Sequence, residues 1–427
     1  MTSLPRFEGN LPGILEDLYL GPSPDYRDVL IAGVQRTRQR PAWAFPERWL
    51  PMDITNRLAF APRLPYRHLA IVALLAILTA AAVIAYIGTQ RHVPLPFGPA
   101  VNGLLPVNRS GDLYLADPST GAMRLVLGGP EDDHAPGFSP DGTKIAFLRG
   151  EDPEELWAMN ADGSGIHRVG NIPVPDLTWA AWTPDSKHLV VIARFDGTTK
   201  LRVFDTVEGT YRDLAPDYLP YPADVAFRPP NGDEIVFRAQ LRNNPGFFGL
   251  FSMKPDGSDV RTIIEPKTAI SIDFDLKYLA FTADGSRIFY MHKSDLSVPD
   301  SPMELWVMNA DGTDRHRFVH VDGAGWEGEQ TVSPDGKYLA FYYVSSGPGG
   351  QIAVVRTDGT GPVVKVGDAL PGTASFIWSP DSTKLLVMRH EDTPFVRPWL
   401  LDPAGGPGTR VPIDVEGEEP DWQRLAP

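Results

Sequence analysis

The sequence has 427 residues, a formal net charge of -15 and no cysteine. The acidic balance argues against nucleic-acid binding, because proteins of that class need a basic surface to displace counterions from phosphates. The lack of cysteine excludes disulfides, Cys-ligated zinc and thiol catalysis. Apolar residues make up 42% and aromatic residues 10%, which indicates a globular chain, while 43 Pro and 40 Gly predict many turns.

Residues 1–68 predict a cytoplasmic segment with two short amphipathic helices, followed by a stretch rich in Arg and Trp. Apolar residues recur with helical spacing in LPGILEDLYL, and Ser23 with Pro24 fits the start of a second helix. Two such helices cannot bury their apolar stripes alone, so we expect them to dock a partner or a membrane surface. The Arg and Trp stretch is compatible with a docking peptide and equally with an interfacial belt on anionic lipid. The docking residues that we predict are Leu11, Ile14, Leu15, Leu18, Tyr19, Arg36, Arg38, Arg40, Trp43 and Trp49.

Residues 69–87 read LAIVALLAILTAAAVIAYI and predict one transmembrane helix. A run of 19 residues with one clearly polar member, Thr79, matches a hydrocarbon core of roughly 30 Å at a rise of about 1.5 Å per residue. Three arginines lie closely before the run and one lies closely after it. The positive-inside rule therefore places residues 1–68 in the cytoplasm and the part after a linker, residues 88–102, outside the cell membrane.

A repeat fills the chain from residue 103 onward. The stretches FSPDGTKIAF, WTPDSKHLVV, FRPPNGDEIVF, FTADGSRIFY, VSPDGKYLAF and WSPDSTKLLV follow one another, and with Trp422 their lead positions lie 44 to 54 residues apart. Such spacing, with four short strands per unit, is typical of a β-propeller. In the turn, Pro fixes its own φ angle and the Asp side chain caps the turn. Gly takes a positive φ. The residues that mark the repeat are Phe138, Asp141, Gly142, Trp182, Asp185, Phe227, Phe281, Asp284, Asp335, Trp378, Asp381 and Trp422.

The strand count predicts how the ring closes. Seven candidate fourth strands can be counted, but the unit at 103–127 lacks a first strand. The C-terminal stretch EEPDWQ supplies one, with Trp422 in the register of Phe138 and Trp182. We predict an all-β, seven-bladed propeller over residues 103–427, closed by pairing of the C-terminal strand with the first blade. Six blades remain the alternative, if one degenerate unit merges with its neighbour.

The motifs S-P-D-G-x-x-[IL]-A-F and L-[WY]-x-M-N-x-D-G resemble the TolB-like β-propeller repeats, over roughly residues 103 to 424. In that family the motif residues are structural, so the resemblance implies a fold and leaves the function open. The layout is also similar to single-span bacterial regulators that hold a helical segment against a sigma factor. Zinc-type anti-sigma proteins use a His and two Cys, and this chain departs from that pattern because it has no Cys.

No motif predicts catalysis, a metal or a cofactor. The two N-A-D-G stretches begin like calcium loops but lack Glu at the twelfth position, so tight turns are expected there. Neither a G-x-S-x-G nor an H-E-x-x-H motif occurs. The acidic stretch at 131–133, with His134, is expected to form a solvated rim, with a ligand or ion role as the alternative.

We therefore expect a membrane-anchored, extracytoplasmic propeller that acts as a binding or signalling module, with protein partners on both sides of the membrane. Leu69 to Ile87 would contact the lipid bilayer, and the N-terminal helices would dock a regulatory partner such as a sigma factor. A passive envelope scaffold is one alternative. An extracytoplasmic enzyme with its site in the propeller channel is the other.

Overall fold

The computed structural model describes residues 72–77, 79, 93–150, 154–170, 174, 177, 179–265, 279–293, 302–321, 324–345, 349–370, 375–390, 395–417 and 419–426. The chain divides into two compact units, Met1–Gln90 and Arg91–Pro427. In the first unit residues 72–77 are helical, and no helix among the described residues is both long and apolar enough to cross a membrane. The predicted docking residues in 1–68 and most of the predicted span lie outside the described residues.

The second unit is built from short β-strands. The strands up to the third repeat are β1 (Val101–Asn102), β2 (Leu105–Arg109), β3 (Asp112–Ala116), β4 (Met123–Leu127), β5 (Asp133–Phe138), β6 (Lys144–Arg149), β7 (Glu155–Asn160), β8 (His167–Arg168), β9 (Trp179–Trp182), β10 (His188–Phe195), β11 (Thr198–Asp205) and β12 (Tyr211–Asp213). The strands of the next two repeats are β13 (Ala223–Phe227), β14 (Ile235–Leu241), β15 (Asn244–Met253), β16 (Arg261–Ile264), β17 (Ala280–Phe281), β18 (Arg287–Lys293), β19 (Met303–Asn309) and β20 (His316–Arg317). The remaining strands are β21 (Ala324–Val332), β22 (Tyr338–Ser345), β23 (Gly350–Arg356), β24 (Val364–Leu370), β25 (Phe376–Trp378), β26 (Leu385–His390), β27 (Val396–Leu401), β28 (Thr409–Arg410) and β29 (Arg424–Leu425).

These strands form seven antiparallel blades, numbered 1 to 7 in chain order. Blade 1 has the strand order β2-β3-β4, and blades 2 to 7 begin with β5, β9, β13, β17, β21 and β25 as their first strands. One parallel pair, Met303 with Trp326, joins blades 5 and 6 into a single sheet. The prediction of seven blades is confirmed, and the six-bladed alternative is wrong because, among the described residues, each of the seven repeats forms its own set of antiparallel strands.

The apolar residues of each blade pack against the next blade. The described residues form seven separate apolar clusters, and each cluster lies between two neighbouring blades. One joins blades 7 and 1, where Leu386 and Met388 pack with Leu105, Val107 and Trp422. An open row of seven blades would contain only six such clusters. The seventh shows that burial of apolar surface continues around a closed ring.

The C-terminal strand closes the ring, as the strand count predicted. β29 pairs antiparallel with β1, with Val101 opposite Leu425. Next to this pair the amide of Gly103 donates to the carbonyl of Gln423 at 2.9 Å, and the amide of Gln423 donates to the carbonyl of Leu104 at 2.9 Å. The segment 419–425 therefore takes the place of the first strand that blade 1 lacks, and we call it the closing segment.

The first strands line the channel of the propeller. β21 contacts both β17 and β25, so the first strands of successive blades lie closest to the axis. Turns such as 139–143 connect each first strand to the second at one end of the channel, which we call the turn face. The second and third strands connect at the opposite end, which we call the far face.

Candidate binding site in the propeller channel

The repeat aspartates lie in the turns of the turn face and organise them. In each turn a carboxylate oxygen accepts a hydrogen bond from the hydroxyl of the Ser or Thr two residues before it and from the amide two residues after it. The aspartates with this pair of bonds are Asp141, Asp185, Asp284, Asp335 and Asp381. Hydrogen bonds from Thr282 and Ser286 hold the pKa of Asp284 below its ordinary value. With their carboxylates held by the turn itself, these residues act on local structure.

The lead aromatics of the repeat end the first strands and are mostly buried. Trp182 donates from its indole to the carbonyl of Gly137 in blade 2 at 3.1 Å, and Trp378 donates to Thr331 in blade 6 at 3.0 Å. Trp422 donates instead to Gly103 at 3.0 Å, within the closing pair. The other lead aromatics, Phe138, Phe227 and Phe281, are buried or partly buried between blades.

The stretch 131–133 is not uniformly solvated, so the prediction of a solvated rim is wrong for Asp133. This side chain is only 2% exposed, and Arg149 on the next strand donates to both of its oxygens, at 2.6 and 2.9 Å. The guanidinium also lies 4.4 Å from the ring centre of Trp157. The bidentate ion pair and the cation–π contact fix the start of β5 at the far face.

Two cavities open beside the first strand of blade 2 and the closing segment. The smaller, about 210 Å³, lies against Val107, His134, Glu419 and Asp421. The larger, about 310 Å³, has walls from β5, β6, β7, β9 and β10. Its wall residues include Phe147, Leu156, Ala180, Trp182 and Leu189. Both cavities contact His134, Ala135 and Glu419, so they are neighbours beside the first strand of blade 2.

His134 stands at the boundary of the two cavities because the backbone there is irregular. The pairing of β5 with β6 shifts register between His134 and Gly137, and Ala135 has a φ of 49°. A bulge of this kind redirects the side chains of its strand. The Nε2 atom of His134 lies 3.2 Å from Oε1 of Glu154, and Nδ1 lies 3.9 Å from Asp132. The imidazole thus lies between two carboxylates.

Asp421 brings a second ionisable group to the same region. One of its oxygens accepts from the amide of Phe138, which links the closing segment to blade 2. Burial raises the pKa of Asp421 to about 6, against the lowering effect of the amides of Phe138 and Trp422 and of the charge on Arg424. The site therefore combines apolar walls with groups that can hold polar or charged atoms. That combination is common in ligand pockets.

Sequence reasoning found His134 only as part of an acidic stretch, and it missed the cavities. Glu154 is 20 positions from His134, and Asp421 is 283 positions from Phe138, so no local pattern connects them. Among the described residues there is no group of three or more His, Asp or Glu side chains arranged to hold a metal ion.

Comparisons with known proteins agree with this fold. The oligogalacturonate lyase from Vibrio parahaemolyticus is 13% identical with a TM-score of 0.54, over 73% of this chain and 86% of that one. The β-propeller domain of the Trilobed protease from Pyrococcus furiosus is 14% identical with a TM-score of 0.53, over 75% of this chain and 97% of that one. TolB from Acinetobacter baumannii is also among the similar structures, at 18% identity and a TM-score of 0.49, over 76% of this chain and 83% of that one.

At such identities the similarity establishes the β-propeller fold and nothing about activity. No protein-family model matches the chain, and no curated protein matches it. The layout similarity to anti-sigma regulators gains no support from these comparisons.

Proposed function

We propose that this chain is a membrane-anchored β-propeller binding protein. Its propeller binds a ligand or partner in the channel beside His134, and its residues 1–68 dock a regulatory protein in the cytoplasm. The observation that carries the proposal is the pair of cavities at the closing segment, where apolar walls meet His134, Glu154, Glu419 and Asp421. A propeller that served only as a scaffold has no need of open volume at this point.

The anchoring and docking parts of the proposal rest on the sequence. The run of residues 69–87 has the length and composition of a single span, and the arginines before it favour a cytoplasmic N-terminus. The amphipathic spacing at Leu11, Leu15 and Leu18 needs an apolar surface to cover it. A regulatory protein in the cytoplasm supplies such a surface, and a sigma factor is one candidate.

The test is capture of partners by the tagged full chain from its native host, followed by mass spectrometry. We expect Ala180→Phe, which fills the larger cavity from an exposed position, to lose the partner of the propeller and to keep the cytoplasmic partner. Leu15→Asp with Leu18→Asp should do the reverse. Val207→Phe is the matched control, because it adds similar bulk at a residue that is 79% exposed on the turn face and contacts neither cavity.

The same experiment separates the alternatives. If Ala180→Phe still captures the partner of the propeller, the larger cavity is not its binding site. Capture of no specific protein by the unaltered chain would favour the passive scaffold. Deleting residues 69–87 should release the chain from the membrane fraction, and retention there would contradict a single anchor.

A further inference from the structure

The segment from Pro94 to Ala100, here called the strap, lies on the turn face of the propeller. Arg424 of the closing segment donates from Nη2 to the carbonyls of Leu95 and Gly98, at 2.9 and 2.6 Å. The amide of Ala100 donates to the carbonyl of Pro380, in the turn of blade 7, at 2.9 Å. Pro94 and Ala100, at the two ends of the strap, are both buried.

The ring of Phe97 reaches blades on the opposite side of the channel. A Cβ atom added to Gly232, in the turn of blade 4, would stand 3.3 Å from the Phe97 ring and 2.4 Å from Pro184, in the turn of blade 3. Phe97, Pro184 and Gly232 therefore meet at one point, where the glycine leaves room for the aromatic ring. Only a residue without a side chain fits there.

These contacts show that the strap crosses the mouth of the channel. In a ring of seven, blade 4 is almost opposite blade 7. The three Cα–Cα steps from Phe97 to Ala100 span at most about 10 Å of backbone, at about 3.5 Å per step. The strap joins the two sides over this short distance, so it lies across the turn-face end of the channel and leaves the far face, near His134, as the open end.

The contacts that hold the strap are of the same kinds as those that hold extended peptides in binding grooves. Two backbone carbonyls accept hydrogen bonds from one guanidinium. The Phe97 ring packs into the space beside Gly232 and Pro184, here called the recess. Pro94, Pro96 and Pro99 limit the conformational entropy lost on binding. Leu95 points away from these contacts and is 76% exposed. The recognition thus depends on Phe97 and the backbone rather than on every apolar side chain of the strap.

We propose that the turn-face mouth is a binding groove for an extended peptide segment containing Pro and Phe, and that the strap fills it as an intramolecular ligand. A partner segment of the same chemistry binds only by displacing the strap. A tethered segment has an effective concentration in the range of about 1 mM, so the groove of the unaltered chain is blocked against weak competitors. This groove is separate from the cavities beside His134, and its test does not depend on them.

The experiment measures binding of a fluorescein-labelled peptide with the sequence of residues 93–100, VPLPFGPA, to the purified full chain in detergent micelles, by fluorescence anisotropy. Phe97→Ala empties the recess, so we expect this variant to bind the peptide at least tenfold more tightly than the unaltered chain. Leu95→Ala is the matched control and should bind as weakly as the unaltered chain. A peptide with Ala in place of Phe should bind neither variant.

Each contrary result overturns a stated part of the proposal. Equal weak binding to all three chains means that the mouth is not a peptide groove. Equal tight binding to the unaltered chain means that the strap does not fill it, and equal binding of the Ala peptide means that the recess does not recognise Phe. Circular dichroism checks the fold of Phe97→Ala, and Phe97→Leu provides a milder variant with the same expected order of affinities.

Discussion

At the residue scale, Asp421 is an ionisable group that both joins the closing segment to blade 2 and belongs to the candidate binding site. Its carboxylate joins the closing segment to blade 2 through the amide of Phe138, and it also borders the smaller cavity. Burial raises its pKa from 3.8 to about 6. A proton therefore binds more tightly to this group in the folded chain than in the unfolded chain.

The stability contributed by protonated Asp421 therefore decreases as the pH rises. The contribution of Asp421 to stability is fully present below about pH 4 and is lost as the pH rises through about 6. Full burial would correspond to about 3 kcal/mol, but Asp421 keeps partial solvent exposure, so we expect about 1–2 kcal/mol. Asp421→Asn cannot ionise and should be more stable than the unaltered chain by this amount at pH 7.5, with the difference shrinking at pH 5.

Urea unfolding at the two pH values measures this effect. Asp132→Asn is the control, because the Asp132 side chain is 49% exposed and its replacement should change stability by less than about 0.5 kcal/mol. A destabilised Asp421→Asn at pH 7.5 would mean that the ionised carboxylate stabilises the closure.

At the element scale, the turns and strands of the repeat could be predicted because each depends on neighbours in the sequence. Pro, Asp and Gly act within a few residues of one another, and six stretches with this kind of turn reinforce the pattern. The ion pair of Asp133 with Arg149 could not be predicted in the same way. It forms across a β-hairpin, and an acidic triplet alone gives no sign of which carboxylate turns inward.

Gly142 couples a turn to the closing segment. It has a φ of +68°, and a Cβ atom there would lie 2.0 Å from the carbonyl oxygen of Arg424. Gly197 in the β10–β11 hairpin has a φ of +77° with nothing within 4 Å of the added atom. Gly197→Ala should cost about 1 kcal/mol for its backbone conformation alone. Gly142→Ala should cost about 3 kcal/mol or more, because the closing segment must also shift.

Thermal and urea unfolding of the two alanine variants compare these costs. Both changes add one methyl group at positive φ, so the difference between them isolates the contact with the closing segment. Equal losses of stability would show that the closing segment moves away from the turn at little cost.

At the scale of the whole molecule, the sequence predicted the ring but neither the strap nor the cavities. Trp422 could be placed because it repeats the register of Phe138 and Trp182. The strap has no repeat, and its contacts with Arg424 join residues 326 and 329 positions apart. A cavity is volume that side chains leave unfilled, and a linear pattern of residue types does not specify it.

Ring closure predicts a difference between two tryptophans with the same place in the repeat. Trp182 and Trp422 are 9% and 5% exposed, and each donates one indole hydrogen bond to a backbone carbonyl. Either change to Ala removes a buried indole and should cost about 3–5 kcal/mol. Trp182 lies between two consecutive blades, whereas Trp422 holds together parts of the chain that are 319 positions apart.

The variants should therefore unfold differently, beyond their similar loss of stability. Trp182→Ala leaves the ring closed, so fluorescence and far-ultraviolet circular dichroism should report one coincident urea transition. Trp422→Ala opens the ring into a row of blades that contact only their neighbours, and such arrays lose cooperativity because terminal units unfold first. For this variant, fluorescence and circular dichroism should report separate midpoints of urea unfolding. Coincident midpoints for Trp422→Ala would mean that the seven interblade clusters hold the ring closed without the Trp422 indole, and that cooperativity is distributed around the propeller rather than concentrated at its closure.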